Sequence, residues 1–303
     1  MSDSDEIEAS RAPLLDHLVE LRSRLIVCMV ALFVAFLICF AFATQIYTLL
    51  LHPFSVAAGL LAVRKGEAQA SGFDLMAVVD GAKNMFLVLT GLKVLPAVPG
   101  AVTKLVFTAP LEFFFTKVKL AGLGAVMLSF PVLAYQIYAF VAPGLYKTER
   151  RAFLPFLVAS PVLFMVGAAM VYFMILPFVL WFSLSQQIVG VGNISVELLP
   201  KVSDYFSLVT TLLLAFGLCF QLPVVLTLLG MAGIVSAKML MSGWRYAVVG
   251  VFLVAAIVTP PDPISQTLLA VPIIGLYFLS IGCVKLIELR RGKDAPGTDV
   301  AVV

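Results

Sequence analysis

Six charge-free stretches, parted by short charged or proline-rich breaks, constrain this chain more than any other feature. They run over 25–51, 120–146, 152–182, 205–231, 246–261 and 263–284. A helix needs about 20 apolar residues to cross a hydrocarbon core, and most of these stretches supply them. Lipid offers the backbone no hydrogen-bond partner, so each span is expected to be helical. The composition agrees: 62% of residues are hydrophobic and 12% charged, where soluble domains carry about 25% charge. The predicted fold is an all-α integral membrane protein of six transmembrane helices.

Lysine and arginine placement sets the expected orientation. Arg11, Arg22 and Arg24 flank the first span, Lys147, Arg150 and Arg151 follow the second, and Lys238 and Arg245 follow the fourth. The tail holds Lys285, Arg290, Arg291 and Lys293. On the other side the third connection has Lys201 and the fifth has no basic residue. Both termini are therefore expected in the cytoplasm. The spans fall at about 25–45, 120–143, 152–182, 205–231, 246–259 and 264–284, within a membrane domain 25–284. Residues 1–24 form a cytoplasmic amphipathic segment, with Leu14, Leu15, Leu18, Leu21 and Leu25 at helical spacing. Residues 285–303 form a cytoplasmic tail. Met1 to Ser10 is acidic, so no removable signal peptide is expected.

The external loop 52–119 carries several basic residues, but its length exceeds the roughly 60 residues over which the charge rule operates. Within it, Met85 to Val98 is apolar yet too short to span, and is read as interfacial. Tyr246 to Val258 is also short, roughly 20 Å of helix against a core of about 30 Å. Two short final spans are preferred over a re-entrant hairpin. Pro131, Pro155, Pro161, Pro177 and Pro223 each remove a backbone donor and should kink their helices. Kinked helices side by side predict a concave bundle.

Few polar groups remain to carry function. The net charge of +3 does not suggest a nucleic-acid partner. The four cysteines lie in apolar stretches without CxxC spacing, and His17 and His52 are the only imidazoles. No metal site or cofactor is expected. Phosphate-binding, zinc-protease and nucleophile-elbow motifs are absent, so the chain is not read as an enzyme. No ionisable residue lies in the core of a span, which disfavours a proton-coupled solute carrier. The strongest intramembrane polar groups are Gln136 and Gln221. Gln221 precedes Pro223 by two residues, and Pro223 deprives the Cys219 carbonyl of its helical donor. Ordinary interhelical packing and a docking site for a partner helix both fit Gln221. On the external side Asp262, inside Thr259-Pro260-Pro261-Asp262-Pro263, is read as a cap of the following helix.

Two carboxylates stand out at the cytoplasmic interface. Glu20 and Arg24 are spaced i,i+4, and Glu149 sits among Lys147, Arg150 and Arg151; each alone is explained by a surface ion pair. Together they form a pair of anionic sites suited to guanidinium groups, which carboxylates hold bidentately.

His17-Leu18-Val19-Glu20-Leu21-Arg22-Ser23-Arg24-Leu25 resembles the HLxELRxRL signature of the TatC family, the polytopic core of the twin-arginine protein translocase. Tyr135 to Arg151 is similar to the family's YQxxxFxxPGLYxxER(R/K) segment. Thr259 to Asp262 with Ser265-Gln266 resembles its TPPD…SQ turn, and Phe114 to Lys119 its FFxxxK. The resemblance covers nearly the whole chain. It implies a receptor for twin-arginine signal peptides of folded proteins, working with TatA and TatB-like single-span partners and the proton-motive force. It further implies a bacterial plasma (inner) membrane location and a homo-oligomeric receptor complex. By position, Glu20 and Glu149 would bind the paired arginines, with Arg22, Phe140, Arg150 and Arg151 shaping the site. Pro53 and Asp262 match external positions important for function. Two departures are visible. Gln221 stands where many members have an intramembrane Glu, which puts a protonation role there in doubt but keeps Gln221 and Pro223 available to a partner helix. Residues 56–102 look like an insertion. A small-solute transporter or channel is the alternative; the internal repeat it would call for is not seen.

Overall fold

A computed structural model describes residues 3–67, 83, 87, 105–141, 147–186, 188–191, 194–196, 200–258 and 263–294, with side chains over 18–58, 83, 87, 105–140, 156–186, 200–258, 263 and 265–289. Helices dominate: α1 (Asp3–Ala41), α2 (Ala43–Glu67), α3 (Glu112–Val141), α4 (Lys147–Met170), α5 (Leu176–Ser185), α6 (Val202–Cys219), α7 (Leu222–Met231), α8 (Ala237–Ser242), α9 (Trp244–Val258) and α10 (Pro263–Asp294). A π-helical segment, Val171–Ile175, joins α4 to α5. The departure from an all-α chain is a small antiparallel hairpin of β1 (Ile188–Val191) and β2 (Ile194–Val196). Among the described residues five helical stretches are long and apolar enough to cross a membrane: Leu18–Ala41, Glu112–Phe140, Phe156–Ser185, Val202–Met231 and Ser265–Leu289. The sixth, Trp244–Val258, has 15 residues, about 22 Å of helix.

Three expected spans differ in detail from what the backbone does. The first helix breaks at Phe42, where Phe42 N–H still donates to Ile38 O and Ile46 N–H to Phe42 O. Beyond it α2 stays helical to Glu67, and α3 begins at Glu112, so the ends of 52–119 are helix and not loop. Phe54, Val56 and Ala57 of α2 are buried. The third span changes to π-helix just before Pro177. The Leu176 N–H reaches back to Val171 O, the five-residue register by which a helix absorbs an irregularity. The fourth span divides at Phe220–Gln221. Gln221 N–H takes Leu218 O at 2.9 Å, and Pro223 follows at the start of α7, where its missing N–H costs least. The segment 85–98 lies outside the described residues, apart from Leu87 in a helical conformation.

The chain forms two compact units, 1–46 with 117–162 and 47–116 with 163–303. In the first, the small residues Ala35 and Cys39 of α1, Ala43 at the start of α2, and Ala121 and Ala125 of α3 are buried. A Cβ on Gly124 would come within 2.8 Å of Cys39 Sγ. Helices in lipid gain little from hydrophobic exclusion and associate through such small-residue packing. Leu25, Met29, Phe33 and Leu37 on α1 are exposed, as suits a face turned to acyl chains.

In the second unit Phe164, Phe206, Phe216, Ile175 and Leu212 are fully buried. Gly217 lets α6 lie on Phe164, since a Cβ there would meet the ring at 2.5 Å. The α7 C-terminus ends in a left-handed Gly233 (φ 72). Ile234 N–H bonds to Leu229 O and Gly233 N–H to Gly230 O, the paired closure that satisfies the last carbonyls of a helix. Behind that turn, α8 is tied to α10 by Ala237 N–H donating to Glu288 Oε1 (2.9 Å) and Tyr277 O–H donating to Leu240 O (2.7 Å). On α9, the Phe252 carbonyl accepts from Gln266 Nε2 at 3.0 Å.

Near the start of α3, Glu112 is a hub. Its Oε2 accepts from Thr108 N–H (2.7 Å) and Ala109 N–H (3.2 Å), and its Oε1 from Ser203 N–H at 2.9 Å. The same carboxylate thus closes the turn leading into α3 and the first turn of α6. A parallel bridge between Val106 and Lys201 runs beside it.

Candidate functional site

Helical spacing puts Glu20 and Arg24 on one face of α1, one turn apart, where the helix enters its apolar span. Arg24 Nε donates to Glu20 Oε1 at 3.0 Å and Nη2 to the same oxygen at 2.5 Å. The third guanidinium nitrogen, Nη1, lies 3.5 Å from Gln136 Oε1 on α3, so this arginine reaches a residue 112 positions away. The pair is partly sheltered, with 22% of the Arg24 side chain and 35% of the Glu20 side chain exposed. Ser23 Oγ donates to the Glu20 carbonyl at 2.8 Å, a local bond within the same turn.

Phe140 is half-buried one helical turn beyond Gln136, and Arg22 is exposed. Glu149, Arg150 and Arg151 open α4, in the same compact unit as Glu20; their side chains lie outside the described residues, as does that of His17. Glu20, Arg24 and Gln136 are therefore brought into one cluster. Sequence reasoning paired Glu20 with Arg24 and singled out Gln136, but not as their neighbour. A polar side chain one to two turns inside a span, level with an arginine on another helix, was the available signal.

The remaining predicted positions belong to the other unit. Gln221 is the N-cap residue of α7 and makes no side-chain capping bond; Pro223 is buried behind it, and its carbonyl accepts from Thr227 Oγ1. Pro53 is buried within α2. Asp262 lies outside the described residues. Among the described residues no group of three or more His, Cys, Asp or Glu side chains is placed to hold a metal ion.

Long apolar helices with their ionisable groups gathered at the ends define a polytopic membrane protein, and at one such end a carboxylate holds a guanidinium. Residues 16–272 match the family described as "Sec-independent protein translocase protein (TatC)". The chain belongs to the TatC family. It is 36% identical over 284 residues to the Sec-independent protein translocase protein TatC of Magnetococcus marinus, covering 94% of this chain and 88% of that one. It is 34% identical over 269 residues to TatC of Escherichia coli K12, covering 89% and 86%. A crystal structure of the twin-arginine translocase receptor TatC superposes with a TM-score of 0.65 at 30% identity, over 90% of this chain and 99% of that one. The protein is thus a receptor subunit of the Sec-independent, twin-arginine translocase and a multi-pass protein of the inner membrane.

Proposed function

We propose that this chain docks the twin-arginine signal peptide of an already folded protein and is the core on which the translocase assembles. Glu20 carries the reading: it stands where α1 meets the membrane interface and already binds one guanidinium through two N–H groups. A carboxylate with that geometry can hold a guanidinium from another chain equally well. Glu20 and Glu149 then take one arginine each, while Arg22, Phe140, Arg150 and Arg151 shape the surround. Gln221 and Pro223 meet a partner helix, and Pro53 and Asp262 serve the external side.

The partners are TatA and TatB-like single-span proteins, further copies of this chain, and membrane lipid. The proton-motive force drives export, and the chain itself catalyses no reaction. Both termini face the cytoplasm: residues 1–24 and 285–303 lie there, 25–284 form the membrane domain, and 52–119 lie outside. The skew of Lys and Arg toward the loops on the terminal side supports this orientation.

The test is photo-crosslinking of a twin-arginine signal peptide to the full chain in membrane vesicles. Glu20→Gln and Glu149→Gln each weaken the crosslink, because an amide keeps the shape but loses the charge. Unchanged crosslinking by the double variant overturns the site.

A further inference from the structure

The carboxylate assigned to an incoming arginine is already taken. Arg24 donates from both Nε and Nη2 to Glu20 Oε1, at 3.0 and 2.5 Å. A guanidinium arriving on a peptide can engage both carboxylate oxygens only if Arg24 gives up that one. Arg24 has somewhere to go: Gln136 Oε1, on α3, lies 3.5 Å from its Nη1. That distance is too long for a strong hydrogen bond. It can shorten once the guanidinium is released from Glu20. The side-chain amide of Gln136 also supplies a neutral acceptor, so the displaced charge gains a partner without being trapped by it.

We infer that Arg24 is a resident stand-in for a signal-peptide arginine, holding Glu20 occupied while the site is empty and yielding to Gln136 when a peptide guanidinium arrives. The inference rests on the proposed role of Glu20. Arg24 acts through Glu20 and Gln136, which makes it a positioning residue and not a direct ligand of the peptide. While in place it fixes the Glu20 rotamer and spares the interface an unpaired carboxylate. Its cost is competition. A ligand's apparent affinity falls by the fraction of receptor whose Glu20 is free, and that factor is the same for every cationic ligand. Arg24 therefore sets the affinity threshold of the site and leaves the preference for arginine over lysine to the geometry of the carboxylates.

The experiment measures binding of a fluorescent twin-arginine signal peptide, and of its twin-lysine counterpart, to the full chain in lipid nanodiscs. In Arg24→Gln both peptides bind about two- to fivefold more tightly, the range expected for release of a partly sheltered ion pair. Arg24→Lys keeps the charge but loses the fork, and tightens binding by a smaller factor. In the Glu20→Gln background, Arg24→Gln brings no further gain. Weaker or unchanged binding in both Arg24 variants, with Glu20→Gln still impaired, overturns the stand-in and leaves the site intact. A gain from Arg24→Gln that persists without the Glu20 carboxylate also overturns it, as a general charge effect. If Glu20→Gln binds like the unaltered chain, the site itself is wrong.

Discussion

The Tyr172 hydroxyl donates at 2.9 Å to the carbonyl of Leu49, the one that Pro53, four residues on, leaves without a helical donor. Tyr172 belongs to the π-helical segment Val171–Ile175. An interruption in one helix thus supplies the donor that a proline removes from another. Next to it Tyr205 O–H donates to Leu50 O at 2.5 Å, and the Tyr205 ring meets Phe54 edge-on. Pro53, singled out by family resemblance, has a physical role here: it opens a carbonyl to which a second element is fastened.

This arrangement predicts a coupling. Tyr172→Phe costs about 1 kcal/mol in unfolding of the detergent-solubilised protein, since the Leu49 carbonyl loses its donor. In a Pro53→Ala background the new N–H at position 53 can serve that carbonyl, and Tyr172→Phe becomes close to neutral. Strictly additive costs in the double-mutant cycle would show that the two groups do not share the carbonyl.

Glu112→Gln destabilises by about 2 kcal/mol in the same unfolding assay. Both carboxylate oxygens accept backbone N–H groups, Oε2 toward Thr108 and Ala109 and Oε1 toward Ser203. An amide must turn its NH2 toward one of those donors. Ser203→Ala costs less, about 1 kcal/mol, because it removes the hydroxyl's bond to the carboxylate and keeps the main-chain N–H bond at 2.9 Å.

Gly217→Ala destabilises by about 1–3 kcal/mol through overpacking. The new Cβ would stand 2.5 Å from Phe164 Cε2, and Phe164 is 1% exposed with no room to retreat. Phe164→Leu relieves the clash. The double variant is accordingly more stable than the sum of the single costs implies, as read from thermal unfolding.

Gly233→Ala tests backbone strain alone. No atom lies within 4 Å of a Cβ built there, yet φ is 72°, where an L side chain is disfavoured. A loss of about 1 kcal/mol is expected. Hydrogen exchange should quicken first at Ile234 and Gly233, whose N–H groups close the end of α7.

Much of this was legible in the residues alone. Runs such as 205–231 declare themselves by composition, because lipid demands an apolar surface around each span and a helix within it. Pro223 lacks a donor and α7 starts beside it, whereas Pro53, Pro131 and Pro272 sit inside unbroken helices, so a proline alone did not fix where a helix ends. The motif around Glu20 and Arg24 carried the family, and i,i+4 spacing already put the two side chains in reach. These are local properties, each a matter of a few neighbouring residues.

Partnerships between distant polar groups were decided by tertiary structure. Arg24 and Gln136 lie 112 residues apart, Tyr172 and Leu49 123, and Tyr205 and Leu50 155. Hydropathy says that such groups must find partners away from water but not which ones, because the choice depends on how deep each sits and which helix faces which. Pro53 by itself identifies the Leu49 carbonyl as the one left without a helical donor, but it is the fold that brings the Tyr172 hydroxyl to it.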